Sequence, residues 1–213
     1  MPHGRAQRLR ASVLVLVLAG LAFFEYGFPL LRYWSYAPAE GDVVFQSLPR
    51  CDLVTAIEGT TGSPYSHCGV VVPQDGRWVV VESIETVHST PLLKWIRRGR
   101  GKRFAAYRLK PEHRRHVRAF VRELQAFDGR PYDFRYQMDD GCIYCSELVY
   151  KAYLNTTGEE LGVLVRMGDL NWRPYEETIR RYEVGEPPLD RRMITPRDLA
   201  RADQLEKVYG GTF

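Results

Sequence analysis

A chain of 213 residues is long enough for one domain with a real core plus an extension. With 45% hydrophobic and 26% charged residues it has the composition of a globular protein, which excludes disorder throughout. The net charge of +4 is dispersed apart from the run Arg97-Arg98-Gly99-Arg100-Gly101-Lys102-Arg103, read as a solvated turn. Nothing resembles a nucleic-acid-binding module, and four cysteines in this length do not make a disulfide scaffold.

Arg5, Arg8 and Arg10 precede a continuous apolar run from Ala11 to Phe24, which Phe28, Leu30 and Leu31 extend beyond Glu25. Residues 1–39 therefore read as an uncleaved signal anchor and linker that crosses the membrane, with Tyr33, Trp34 and Tyr36 at the interface. Arginines ahead of the run keep the N-terminus in the cytoplasm and put the domain on the extracytoplasmic, periplasmic side. Ala37-Pro38-Ala39 offers the alternative, cleavage and release of a secreted domain.

The domain comprises residues 40–213. Gly41-Asp42 turns into a strand at Val43, and Asp52 to Glu58 is a short helix with Leu53, Val54 and Ile57 inward. Gly59 to Pro64 is a loop by composition. Ser66 to Val72 and Arg77 to Ile84 read as strands, and Pro73-Gln74-Asp75-Gly76 between them makes a hairpin. With the turn centred between Gln74 and Asp75, Val72 faces Arg77, Val70 faces Val79, and His67 faces Glu82. Directly opposed residues have Cβ atoms about 5 Å apart on one face, and a one-residue slip would separate the pair. A carboxylate against an imidazole fixes its tautomer and supports the imidazolium form.

Thr90-Pro91 reads as the N-cap and first residue of a helix through Trp95 and Ile96, with His88, a weaker alternative base, in the strand end or loop before it. Phe104 to Leu109 is a strand. Pro111 opens a helix to Phe127 with Val117, Phe120, Val121 and Leu124 inward and with His113 and His116 solvated. After the turn Gly129-Arg130-Pro131-Tyr132-Asp133 and the polar stretch Asp139-Asp140-Gly141, a helix begins at Cys145. Leu148, Val149, Ala152 and Tyr153 recur along one face of it. A cysteine at a helix N-terminus has unpaired N–H groups and the helix dipole to favour its thiolate, the nucleophilic form. Trp172 to Tyr182 is helix-prone, Val184 to Asp190 is loop-like, Thr195-Pro196 starts another helix, and Gln204 to Tyr209 is a last strand. Gly59 to Tyr65 and Tyr153 to Arg173 are the segments expected to shape a pocket.

Cys142 and Cys145 also form a C-x-x-C, which admits a redox dithiol or half a metal site with His67 and Cys68. The polar turn before it is not the βαβ context of a thioredoxin-like site. A Cys142–Cys145 disulfide that masks the nucleophile and a structural Cys51–Cys68 disulfide are the pairings considered.

The set Gly41-Asp42-Val43-Val44-Phe45, Ser66-His67-Cys68-Gly69-Val70, Val81-Glu82-Ser83, Gly129-Arg130-Pro131-Tyr132-Asp133 and Tyr144-Cys145-Ser146-Glu147-Leu148 resembles the permuted papain-like amidases of the YiiX/YaeF type. These are the circularly permuted branch of the NlpC superfamily of cell-wall cysteine endopeptidases. The closing segment Ile194-Thr195-Pro196-Arg197-Asp198-Leu199-Ala200 resembles theirs too, so the likeness spans residues 40–209. Permutation accounts for His and Glu preceding Cys. The resemblance implies an α+β papain-like fold, with the cysteine helix packed on an antiparallel sheet. It implies Cys145 as nucleophile, His67 as base and Glu82 as orienter, with Tyr132 lining the cleft or donating to the oxyanion. It implies no metal and no cofactor. The substrate would be a small molecule, a cell-wall peptide or a lipid-derived amide. The alternative to hydrolysis is acyl transfer of the lecithin-retinol acyltransferase type.

Overall fold

The computed structural model describes residues 3–210. In chain order its helices are α1 (His3–Ala22), α2 (Phe28–Ser35), α3 (Asp52–Thr61), α4 (Leu92–Arg98), α5 (Val117–Gln125), α6 (Cys145–Thr157), α7 (Glu176–Glu183) and α8 (Pro196–Ala200). The strands are β1 (Val43–Gln46), β2 (His67–Gln74), β3 (Arg77–Ile84), β4 (Thr86–Pro91), β5 (Ala105–Leu109), β6 (Val165–Arg166), β7 (Arg192–Met193) and β8 (Leu205–Tyr209). Six of them form one antiparallel sheet in the order β4-β3-β2-β1-β5-β8, and β6 and β7 make a separate ribbon. This is the expected α+β architecture, with α6 packed on the sheet.

The valine runs of β2 and β3 explain the layering. Alternate side chains point to opposite faces of a strand. Val70, Val72, Val79 and Val81 therefore join Phe120, Leu124, Leu148 and Val149 of α5 and α6 in the larger core. Val71 and Val80 join Trp95 and Ile96 of α4, with Phe104, in the smaller one. A strand covered on both faces has no polar side, and these runs have none.

Several expectations are corrected. The β2–β3 turn is the two-residue Asp75-Gly76, with φ of 49° and 73°. Asp-Gly is the pair that tolerates left-handed backbone at both positions. The register becomes Gln74 opposite Arg77, Val72 opposite Val79 and Val70 opposite Val81, so His67 does not face Glu82 directly. The strand β4 extends through Thr90 and Pro91, and α4 starts only at Leu92. The turns after Pro111 are 3-10 through His116 before α5 begins.

At the N-terminus α1 continues through a π-helical turn, Phe23–Gly27, into α2. The stretch Ser12–Ser35 is long and apolar enough to cross a membrane and is almost wholly unburied. The side chains of Arg5 and Arg8 lie outside the described residues. Tyr36 is not an interfacial residue. It is buried against Phe104 and Tyr209 and donates to Asp42 Oδ2 at 2.5 Å.

Candidate active site

The start of α6 is pinned from three sides. Ser83 Oγ of β3 donates to the carbonyl of Ile143 at 2.6 Å, and the Ile143 amide donates to Pro131 O at 2.9 Å. Ser146 Oγ donates to Ile194 O at 2.9 Å, while the Ile194 amide donates to the Tyr144 hydroxyl at 3.0 Å. The Tyr144 amide donates to Glu147 Oε2 at 3.2 Å, a glutamate reaching back over the first turn. Cys145, the first helical residue, is thus wedged between the sheet and the C-terminal segment, and it is 3% exposed.

His67 opens β2. Its Nε2 lies 2.5 Å from Glu82 Oε2, and its ring also hydrogen-bonds Cys145. The corrected register makes Glu82 a diagonal rather than a direct neighbour of His67. A shift of two residues keeps both side chains on one face, and diagonal pairs remain within reach of long side chains. Gly69 clears the way, since a Cβ there would lie 2.7 Å from Val81 O and 3.2 Å from Glu82 Cβ.

Glu82 is fully buried, and its Oε2 carries three donors: His67, Trp95 Nε1 at 3.0 Å and Arg98 Nη2. Burial pushes this carboxyl up, but the hydrogen bond and charge of His67, together with Arg98, outweigh it and bring the pKa to about 2. Burial alone would lower His67. Its hydrogen bonds and charge interactions with Cys145 and Glu82 prevail and raise it to about 9. The Cys145 thiol is held well below its ordinary range, first by the Cys68 thiol donating to it, then by His67 and the Cys68 backbone, against the cost of burial. Burial and the Cys145 charge push Cys68 up, so Cys68 keeps its proton. All three shifts run in the direction that favours a charged Cys145, His67 and Glu82 over the neutral forms.

Sequence reasoning missed Trp95, Arg98 and Cys68. Arg98 lay inside the run read as a solvated turn, and that reading is overturned. Arg98 pairs with Glu82, Arg100 with Glu58 and Lys102 with Glu25. Cys68 was considered only as a disulfide or metal partner, yet its adjacency to His67 was the available signal. His88 lies directly opposite Glu82 on β4, but its Nδ1 is 3.0 Å from Thr86 O. Tyr132 stands near the thiolate. Burial, with the charges of Tyr136 and Cys145, raises its pKa and keeps the phenol protonated, and its hydroxyl is 3.5 Å from that of Tyr136.

All four cysteines are free. Cys51 is exposed while Cys68 is buried, and Cys142 is partly exposed while Cys145 is buried, so neither considered disulfide is formed. Among the described residues no group of three or more His, Cys, Asp or Glu side chains converges as a metal site.

Cys145 and Ser146 line a cavity that opens to solvent. Its walls are largely apolar: Ile57 from α3, Met167 and Trp172 from the segment before α7, Ile179 from α7 and Met193 from β7. The two stretches expected to shape a pocket both contribute, through Thr60 and Thr61 and through Met167 to Trp172.

Residues 37–209 match the family model described as "Permuted papain-like amidase enzyme, YaeF/YiiX, C92 family". The chain belongs to this family. It is 28% identical over 181 residues to the uncharacterized protein YiiX of Escherichia coli K12, covering 82% of this chain and 88% of that protein. It is also similar to a solved structure titled metalloprotein yiiX from Escherichia coli O157:H7, with a TM-score of 0.78 and 27% identity. That match covers 84% of this chain and all of the other. Glu82 Oε1 is left buried without a protein partner, but no group of three or more His, Cys, Asp or Glu among the described residues is arranged to hold a metal ion. Membership supports a hydrolase at the level of amidase chemistry.

Proposed function

We propose that this family member is a membrane-anchored cysteine hydrolase that cleaves an amide or ester bond next to an apolar chain. The observation that carries the reading is Cys145 at the start of α6, lining a largely apolar cavity, beside a His67–Glu82 pair whose ring and carboxylate are 2.5 Å apart. The Cys145 thiolate attacks the carbonyl carbon, and the first free N–H groups of α6 face the developing oxyanion. Removing one such donor typically costs about 3 kcal/mol in the barrier. The His67 imidazolium then protonates the leaving amine or alcohol. Neutral His67 draws a proton from water, which attacks the thioester and releases the acid. Tyr132, protonated beside the thiolate, is a second oxyanion donor. Glu82 holds the imidazole in register and never gives up its charge.

The cavity lining favours the lipid-derived amide over the cell-wall peptide, because the polar backbone of a peptide would bury unpaired groups against these walls. The anchor is Ser12–Ser35, with Arg10 at its cytoplasmic end and the domain outside. Turnover of N-acyl amides and acyl esters of increasing chain length, beside a cell-wall peptide, tests the reading. kcat/KM is expected to rise with chain length until the cavity is filled and to vanish in Cys145→Ala. Faster cleavage of the peptide than of every acyl substrate would overturn the substrate class.

A further inference from the structure

A second, open cavity lies where the N-terminal helix meets the domain, far in sequence from Cys145. One side is apolar, formed by Phe24 and Phe28 in the second half of the stretch Ser12–Ser35. The other is basic, formed by Arg100 and Arg103. Gly101, with φ of 63°, turns the loop back so that both arginines line the same space. The rest of the basic run locks onto the helix at this level. Lys102 Nζ pairs with Glu25 Oε2 at 3.0 Å, and Arg97 stacks over Tyr26 with its guanidinium carbon 4.7 Å from the ring centroid. Arg100 shares its charge with Glu58 at 2.7 Å, whereas Arg103 is exposed and has no carboxylate partner among the described residues.

Depth along the helix fits the chemistry. From Arg10 to Glu25 the chain rises about 22 Å at ~1.5 Å per residue. A hydrocarbon core is about 30 Å thick. With Arg10 at one polar boundary, Glu25 and Lys102 approach the other within reach of long side chains that extend to the headgroups. Phe24 and Phe28, about 21 and 27 Å along the helix from Arg10, then lie inside that core, and Arg100 and Arg103 line the same cavity. We propose that this cavity binds the headgroup of an anionic phospholipid, seating its phosphate on Arg103 and Arg100 and its chains along Phe24 and Phe28, and so holds the domain in a fixed pose on the bilayer. The proposal rests on the membrane-anchor reading above.

The test uses the full chain reconstituted into phosphatidylcholine vesicles containing a trace of spin-labelled phosphatidylglycerol or spin-labelled phosphatidylcholine. Flotation after alkaline carbonate reads insertion. Motional restriction of the label reads lipid selectivity. The expected result is an inserted protein that prefers phosphatidylglycerol by about fivefold per engaged arginine, the effect of one basic residue at an anionic surface. Arg103→Gln loses most of that preference and Arg103→Lys keeps most of it. Equal restriction of the two labels in an inserted protein, or an unchanged preference in Arg103→Gln, overturns the headgroup site while leaving the anchor standing. Release of labelled phosphatidylglycerol by millimolar inorganic phosphate makes it a free-anion site and also overturns the proposal. A chain that does not float refutes the anchor, and the site with it.

Discussion

The sheet buries two carboxylates that each meet an arginine, and they are used differently. Asp42, beside β1, has both oxygens shared out: Oδ1 accepts from Arg108 Nε at 2.7 Å, and Oδ2 accepts from Arg108 Nη2, Tyr36 and the Ala39 amide. Glu82, on β3, stacks His67, Trp95 and Arg98 on Oε2, while Oε1 is buried with no protein partner among the described residues. Buried polar groups are normally satisfied, and Asp42 follows that rule as a clamp that ties the linker to the sheet. Glu82 departs from it, with every protein donor gathered on the one oxygen that faces His67, the arrangement expected if it orients the imidazole as proposed above.

Substitutions separate the two roles. The largest effect is expected from Cys145→Ala, which abolishes turnover, followed by His67→Ala, which lowers kcat/KM on the order of 10²–10⁴. Both side chains are buried, so chemical denaturation is measured alongside, and the loss of turnover is expected to persist under conditions where each variant is folded. Glu82→Gln should cost turnover on a similar scale, because the amide no longer fixes the imidazolium. Asp42→Asn should lose about 2–3 kcal/mol of stability by denaturant titration and leave the turnover of the folded enzyme unchanged. If Asp42→Asn removed turnover at full stability, the distinction between clamp and working carboxylate would collapse.

Arg98→Met sharpens the comparison further. Glu82 sits at about 2 partly because of Arg98. A carboxylate with a depressed pKa is lost as pH falls through that value, so removing Arg98 should move the acid limb of the pH–rate profile upward. The alkaline limb belongs to His67 at about 9 and should stay in place. Cys68→Ala leaves the His67 base in place and is expected to cost the least turnover. Loss of its thiol donor should still raise the Cys145 labelling midpoint.

Much of this site was legible in the chain, for identifiable reasons. Cys145 was marked by the apolar face of the helix it begins, and that helix starts at the expected residue. The His67–Glu82 pairing was read correctly from a wrong register. The sequence reading centred the turn one residue early, which displaced the pairing by two, and two is the side-chain period of a strand. An error of one would have separated the pair. Trp95 and Arg98 were illegible because they come from α4, whose docking beneath β3 depends on the unexpected strand β4. Local composition in a basic run describes solvation, and only tertiary placement turned Arg98 inward. Tyr36 escaped for the same reason. An aromatic at the end of an apolar run reads as interfacial until Asp42 and Phe104 are seen to enclose it.

The central claim is that Cys145 and His67 form a thiolate–imidazolium pair at rest. Its most direct test is the pH dependence of labelling by a cysteine-directed electrophile, on the reduced full chain in detergent, with the labelled residue mapped. The wild type is expected to label first at Cys145 with a midpoint well below the unperturbed ~8.5 of a free thiol. In His67→Ala that midpoint should rise toward the free-thiol range, since the hydrogen bond and charge of His67 no longer offset burial. Equal labelling of Cys142 and Cys145, with a midpoint that His67→Ala does not move, would contradict the account.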